Sequence, residues 1–395
     1  MIPRRNLRTA LTKAIRQPRY AMRAFWQRTR SFLDYRFRDG FSSYPETISL
    51  FLTYRCNLRC TMCGQWGIEG SSRKLSPESL KGDLSLDELK SVIDDVKFYR
   101  PNITLFGGEP LLYKEWASLV RHVKEAGLRC NIITNGMLLE KHAEEMVDLG
   151  VNEIIFSLDG PREIHDKIRG AEGIFDKAYQ GFQAVNGWKK KKSRHTPLIN
   201  ISSTIFETNY QQLDKIVDIA KDLLASSITF HHLIFLNSQT YGCHNTIFSD
   251  LFKVTCSDWR GFVRETLPKI DVDQLADTMN TIKGGSGAGH AFLGNKTHVS
   301  FYPNLTNEEI RRYYTTFDFK PTSYKHRCIS PWMVAYIFPD GSVRPCQSLN
   351  YTAGNVREAS FRDIWNNQQY QRFRRVTKEK KLYPVCYRCT ELYRF

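Results

Sequence analysis

The sequence predicts an α/β fold: a partial (β/α)6 TIM-like barrel, followed by a small C-terminal cysteine-rich α+β unit. Three observations lead there. Six short β-prone runs alternate with amphipathic segments between residue 46 and about residue 235. Such alternation builds a parallel sheet with right-handed crossovers, and six units suit an open barrel better than a closed eight-unit one. Four of the ten cysteines fall in the last seventy residues, apart from that pattern.

Taken in order, residues 1–44 read as a helical basic arm in which Phe25, Trp26, Phe32 and Leu33 interleave with arginines. That pattern suits either an interfacial helix or one that packs its aromatics on the next domain. Residues 45–236 carry the expected strands 47–53, 102–106, 128–134, 152–158, 198–206 and 227–235. Helical segments are expected near 85–98, 115–126, 139–149, 173–187 and 209–225. Ser85 ahead of Leu86-Asp87-Glu88 is a capping box, because its hydroxyl can take the Glu88 amide while the Glu88 carboxylate reaches back. Residues 237–325 form a connecting or substrate-recognition segment with a strand near 298–302 and a helix starting at Asn307. The glycines at 284, 285, 287 and 289 lack the lysine and hydroxyl of a phosphate loop and suit a flexible connection. In residues 326–395, Pro339-Asp340-Gly341 marks a hairpin and Trp365 a short helix.

At 395 residues, 41% hydrophobic and 25% charged, the composition is that of a globular protein and excludes a collagen, a coiled coil or bulk disorder. No run approaches the ~20 apolar residues of a bilayer span, and the basic N-terminus has no apolar core behind it. A cytoplasmic location follows, where thiols stay reduced and ten cysteines are better metal ligands than disulfides. The net charge is +16, of which +9 lies in residues 1–40, where eleven Arg/Lys stand against Asp34 and Asp39. Lys189–Lys192 form a second basic run. These patches suit phosphates, anionic lipids or acidic substrates, or else simply a solvated face. Residues 1–40 are therefore a candidate for peripheral contact with an anionic membrane at its inner face; nucleic acid is not an expected partner.

Directly after the first strand stand Cys56, Cys60 and Cys63, in Cys56-Asn57-Leu58-Arg59-Cys60-Thr61-Met62-Cys63. Three thiolates on one loop can converge on one inorganic centre. A structural zinc would take a fourth protein ligand, for which a histidine could serve, whereas a cubane cluster could leave one iron open. This CxxxCxxC run resembles the defining motif of the radical S-adenosylmethionine (SAM) superfamily. The resemblance implies an oxygen-sensitive [4Fe–4S] cluster with one open iron, which holds the methionyl amine and carboxylate of SAM. It further implies reductive cleavage of SAM to a 5′-deoxyadenosyl radical that removes a substrate hydrogen, with a reducing donor such as flavodoxin or ferredoxin. Met62 departs from the aromatic residue many members carry before the last cysteine.

The second strand ends in Gly107-Gly108-Glu109-Pro110, where two glycines let backbone approach a ligand and a carboxylate can pair with an ammonium. It is similar to the family's GGE motif, which holds the methionyl amine. Asn135 and Ser157, at the ends of the third and fourth strands, look like the segments that line SAM, as does Asp159, for which a turn cap before Gly160 fits equally. His165-Asp166-Lys167-Ile168-Arg169-Gly170 is similar to the HDxxRG stretch of the peptide- and sugar-modifying branch, in which the arginine meets the SAM carboxylate, a role carried to Arg169.

The C-terminal unit reads Cys328, seventeen residues, Cys346, and then Cys386-Tyr387-Arg388-Cys389. The spacing alone fits a zinc ribbon or an iron–sulfur site. It resembles the SPASM/twitch extension of radical SAM enzymes. The full SPASM form has seven cysteines and two clusters; four cysteines lean toward the shorter twitch pattern and imply one auxiliary [4Fe–4S] cluster with every iron ligated.

Cys130, Cys243 and Cys256 are left over. Cys130 reads as a buried small hydrophobe inside a strand, and Cys256 carries no argument. Cys243 follows the sixth strand and would lie near the barrel mouth, either incidentally or as a hydrogen-atom donor of the kind found in twitch-type epimerases. Of His231 and His232, one should face the barrel. The expected function is a radical SAM oxidoreductase or epimerase acting on a small polar substrate such as a sugar, an aminoglycoside or a lipid-linked glycan. A maturase of ribosomally made peptides and a non-catalytic membrane- or nucleic-acid-binding iron–sulfur protein are the alternatives.

Overall fold

The computed structural model describes residues 18–285 and 297–394. Each β-prone run becomes a strand: β1 (Thr47–Phe51), β2 (Asn102–Phe106), β3 (Arg129–Thr134), β4 (Glu153–Ser157), β5 (Leu198–Ile205), β6 (Ser227–His232) and β7 (His298–Tyr302). They pair in parallel in that order, as strand–helix alternation requires. The sheet does not stop at β1. Strand β8 (Val334–Ile337) pairs parallel to it, Thr47 opposite Val334, and β9 (Ser342–Arg344) and β10 (Gly354–Asn355) follow antiparallel. The hairpin at Pro339-Asp340-Gly341 is present: Gly341 takes φ +82°, and Asp340 Oδ1 accepts the Ser342 amide at 3.0 Å. Ten strands thus form one sheet that runs from the barrel into the cysteine-rich C-terminal region.

Side chains alternate across these strands and sort by polarity. Ile48, Leu50, Ile103, Leu105, Ile132, Ile154, Phe156, Ile199, Ile201, Ile228 and Phe230 are buried against helical Leu89, Val92, Leu119, Met146, Phe182 and Ile216. The opposite row carries Ser49, Thr104, Asn131, Asn200, Thr229 and Ser300. It is cross-linked by hydrogen bonds: Ser227 to Asn200 at 2.8 Å, Asn200 to Glu153 at 2.9 Å, and the Thr229 and Ser300 hydroxyls at 3.1 Å. The capping box at Ser85 forms as expected and starts the helix Leu86–Val96; Thr306 and Glu309 form another ahead of Asn307–Thr315.

The arm forms helix α1 (Pro18–Phe37), which lies across the amino ends of the strands. The Tyr20 hydroxyl accepts from Asn102 at 3.0 Å, and Arg28 forks onto Glu46 at 2.8 and 2.9 Å. Phe32 and Tyr35 pack with Trp332, whereas Phe25, Trp26 and Leu33 face solvent. Residues 1–17 lie outside the described residues. Among the described residues, no helix is long and apolar enough to cross a membrane. Lys189–Lys192 close the helix Ile174–Lys191, where Lys192 meets Glu144 at 2.9 Å and Asp148 at 2.6 Å. Of the glycine-rich stretch, Gly284 and Gly285 end the helix Val272–Gly285, and Gly287 and Gly289 lie outside the described residues.

Candidate active site

The cysteine loop leaves the carboxyl end of β1 and is tied down by its neighbours. Thr53 and Arg55 carbonyls accept the Gly108 and Glu109 amides at 2.8 and 2.9 Å, and the Thr61 amide bonds the Ile168 carbonyl at 2.9 Å. Gly107 and Gly108 serve this contact. A Cβ on Gly108 would sit 2.1 Å from the Arg55 carbonyl oxygen, and Gly107, at φ +140°, would strike Thr53. The glycines expected to admit a ligand thus first admit the backbone of the cysteine loop. Gly170, at φ +82°, clears Arg59 in the same way.

Each thiol on the loop receives a donor. Cys56 Sγ takes the Leu58 amide at 3.5 Å, Cys63 Sγ the Trp66 amide at 3.3 Å, and Cys60 Sγ lies 3.7 Å from the Arg169 guanidinium. Burial pushes the Cys56 thiol up to about 11, and the neighbouring Glu109, Cys60 and Cys63 add to it. Burial raises Cys60 as well, against the pull of Arg169. Three thiols on one loop, each meeting a donor, suit an anionic centre: metal charge would draw their protons off and the donors would stabilise the sulfurs.

Glu109 forms the floor. It is wholly buried, with Oε1 accepting from the Thr134 hydroxyl at 2.9 Å and the Leu111 amide at 3.1 Å, and Oε2 from the Asn135 amide at 2.9 Å. Burial nevertheless pushes its carboxyl up to about 7. A buried carboxylate that hydrogen bonds alone do not hold ionised is a receptor for a cation such as an ammonium. Pro110 opens the turn Pro110–Leu112 that fixes the carboxylate, and Asn135 Nδ2 bonds Asn57 Oδ1 on the cysteine loop at 2.8 Å. Ser157 ends β4, half-buried.

Arg169, at the end of the helix Arg162–Arg169, is buried and ion-paired with Asp159. The Asp159 side chain is no turn cap: its other oxygen accepts the Thr204 amide of β5 at 2.8 Å. The pair raises the Arg169 pKa in spite of burial, and the Arg169 Nε has no protein partner. Three residues missed by motif reading hold this corner. His165 Nδ1 accepts the Asp159 amide at 3.2 Å, Asn209 donates to the Asp159 carbonyl at 2.7 Å, and Asp166 caps the next helix through the Gly173 and Phe175 amides. Only the HDxxRG spacing hinted at two of them.

The second cysteine group is of another kind. Cys328 precedes β8, Cys346 follows β9, and Cys386 and Cys389 lie on and beside the turn Pro384–Arg388. Burial pushes all four thiols up, Cys389 to about 12; Cys386 and Cys389 raise Cys328 further, Cys389 and Cys328 raise Cys346, Cys389 and Cys346 raise Cys386, and Glu391 raises Cys389. Among the described residues no three Cys, His, Asp or Glu side chains stand close enough to share one metal ion.

Cys130 is buried in β3, and its thiol is pushed up to about 12. Cys256 is buried too, its Sγ 3.5 Å from the Ser348 carbonyl. Cys243 is exposed on the helix Ser238–Phe252 that follows β6, one residue before His244, which is buried beside Phe248 and Tyr383. His231 stands on the polar row, edge-on to Tyr302 at 5.7 Å, and burial lowers it to about 4; His232, on the helix-side row, bonds Tyr314 at 3.0 Å.

Residues 50–202 match the Radical SAM superfamily, and residues 328–390 match SPASM, an iron–sulfur cluster-binding domain. The chain is 26% identical over 351 residues to the AdoMet-dependent heme synthase of Methanosarcina barkeri, covering 87% of this chain and 88% of that protein. It is also 26% identical to the tungsten-containing aldehyde ferredoxin oxidoreductase cofactor-modifying protein of Pyrococcus furiosus, covering 86% of each. Streptococcus suis SuiB bound to S-adenosylmethionine shares the fold at TM-score 0.60 and 13% identity, over 88% of this chain and 71% of that one. The native anSMEcpe structure with AdoMet does so at 0.53 and 17%, over 83% and 82%. The chain belongs to the radical SAM superfamily: it is a radical SAM enzyme with a partial-barrel core and a C-terminal SPASM domain, and its cofactors are a [4Fe–4S] cluster, SAM and auxiliary iron–sulfur binding.

Proposed function

We propose that the enzyme removes a hydrogen atom from a polar organic substrate and that the outcome is oxidation rather than epimerisation. In this reading Cys56, Cys60 and Cys63 hold the open-iron cluster, and Glu109 receives the methionyl ammonium of SAM beside Gly107, Gly108 and Pro110. Asn135 and Ser157 line the same ligand, Arg169 faces its carboxylate, and Asp159 orients Arg169. Bound together, the cluster and SAM supply reductive C–S cleavage and hydrogen abstraction. The chain's own part is to bind, to orient and to keep water out.

The observation that carries the oxidative reading is the contrast between the two candidates for finishing the reaction. Cys389, buried, and Cys328, Cys346 and Cys386, half-buried, are a four-thiol set that would hold an auxiliary cluster able to take the substrate radical's second electron while its proton leaves to solvent. Cys243, the candidate hydrogen donor of an epimerase, is exposed to solvent. The polar row Ser49, Thr104, Asn131, Asn200 and Thr229, with Asn131 Oδ1 unpartnered, supports a polar substrate. A sugar, aminoglycoside or lipid-linked glycan has no support from the relatives, whose names concern heme synthesis and modification of a cofactor.

The test is anaerobic reconstitution with dithionite and SAM, following 5′-deoxyadenosine by chromatography, first alone and then with candidate substrates. Product two mass units lighter than substrate, at unchanged yield in Cys243→Ala, supports the reading. Product of unchanged mass in ordinary water and one mass unit heavier in deuterium oxide, lost in Cys243→Ala, sinks it in favour of epimerisation.

A further inference from the structure

Helix α1 has two apolar faces, and among the described residues one of them is packed. The inward face carries Tyr20, Ala24, Phe32 and Tyr35 against the amino ends of the strands and Trp332. The outward face carries Met22, Phe25, Trp26, Leu33 and Phe37, which are 66%, 59%, 65%, 48% and 77% exposed. Their spacing puts them in one stripe about 22 Å long. Along the flank of the helix Gln27 Nε2 donates to the Tyr99 carbonyl at 3.3 Å, and Phe98 on the turn Lys97–Tyr99 is 75% exposed. Soluble surfaces seldom gather large apolar side chains in this way without a use for them.

The charge around the stripe narrows that use. Arg30, Arg36 and Arg100 are exposed beside it, while Arg38 is ion-paired at 3.4 Å with the buried Asp34, which also accepts the Ser43 amide at 2.6 Å. Residues 1–40 hold eleven basic residues and two acidic ones. A second copy of the chain would bring the same positive charge against this face, which opposes self-association. Aromatic and aliphatic side chains flanked by arginines on a helix lying flat on a rigid body are the chemistry of an interfacial helix.

We propose that the outward face of helix α1 docks the enzyme on an anionic bilayer, its apolar stripe entering the headgroup boundary and its arginines meeting lipid phosphates. The helix covers the amino ends of the strands, so the carboxyl ends that carry the cysteine loop and Glu109 face away from the lipid. Substrate and reductant then reach the site from the aqueous side while the enzyme is bound.

The test uses the full chain and sedimentation with vesicles of phosphatidylcholine, with and without about 30% phosphatidylglycerol. Binding is expected to the anionic vesicles, weaker to the neutral ones and weakened by salt. The double variant Phe25→Ser/Trp26→Ser should bind at least about tenfold more weakly, with 5′-deoxyadenosine formation unchanged. Absence of binding by the wild type, equal binding by the variant, or equal binding to neutral vesicles overturns the proposal. So does a dimer in ultracentrifugation that the variant loses, since the stripe then belongs to a second copy of the chain.

Discussion

The two cysteine groups have similar accessibility but are anchored differently. The loop carrying Cys56, Cys60 and Cys63 is tied to other elements by polar contacts. Backbone bonds reach it from the end of β2 and from the helix Arg162–Arg169, and the Arg169 guanidinium faces Cys60. In both groups one thiol is buried, the others are half-buried, and backbone amides meet the sulfurs. The group of Cys328, Cys346, Cys386 and Cys389 is set among large core side chains. Tyr383, Val385 and Leu392 around it are almost wholly buried, and the nearby Arg388 spends its charge on the Tyr313 and Thr316 carbonyls. A site that must exchange a ligand needs donors that remain in place when the ligand leaves. A site that only holds a cluster can rely on packing, and then the cluster becomes part of the core.

The largest expected effect separates the two directly. Cys60→Ala should remove the iron of the loop site and abolish SAM cleavage, a loss above about 10³-fold, with little change in the melting temperature. Cys389→Ala should leave SAM cleavage measurable and lower the melting temperature by on the order of 5 °C, because that cluster is coupled to folding. Iron content, 5′-deoxyadenosine yield and thermal denaturation measure all three. Equal destabilisation by both variants would erase the distinction.

Much of this contrast could be read from the sequence, and what could not has physical reasons. The strands followed from β-prone runs of five to nine residues, the helix Leu86–Val96 from a box spanning Ser85–Glu88, and the cysteine loop from local spacing; all are short-range signals. The pairing of β1 with β8 joins Thr47 to Val334, and no local pattern announces a contact of that separation. The helix Ser238–Phe252 is hidden in the sequence because Gly242 and a polar run mask its apolar stripe. The motif glycines were located correctly, but what each one clears depends on which backbone lies opposite: for Gly108 it is Arg55. Asp159 was equally ambiguous until β5 supplied Thr204 as its partner.

An intermediate effect concerns the floor of the loop site. Burial raises the folded pKa of Glu109 from 4.5 to about 7. Between those values the folded protein keeps a proton that the unfolded chain has released. The stability of the SAM-free protein should therefore fall as pH rises from about 4.5 to 7, by on the order of 3 kcal/mol from this group. An ammonium ligand favours the ionised form, so SAM affinity should rise with pH up to about 7 and level off above it. Glu109→Gln should weaken SAM binding by about 30-fold at pH 8 and remove the slope below 7. Calorimetry from pH 5.5 to 8.5 on both proteins measures this, and a sloping Glu109→Gln profile would assign the titration to another group. The buried thiols of the C-terminal site offer no comparable receptor for an exchanging cation.

The smallest effect asks whether the polar network acts as a unit. The Thr134 hydroxyl donates to Glu109 Oε1 at 2.9 Å and accepts the Gly136 amide at 3.1 Å. Thr134→Val keeps the shape, removes one donor from the carboxylate and leaves the Gly136 amide without its acceptor, at a cost of about 1–2 kcal/mol. With one donor fewer, the ionised carboxylate is harder to hold, so the pH at which SAM affinity levels off should move upward by roughly half a unit. In Glu109→Gln that pH shift has nothing to act on. The two substitutions should then be non-additive in SAM affinity while each still lowers stability. Additive losses would mean that Thr134 acts only on the backbone turn at Gly136. The loop site would then be held, like the C-terminal one, by independent contacts rather than by a network centred on Glu109.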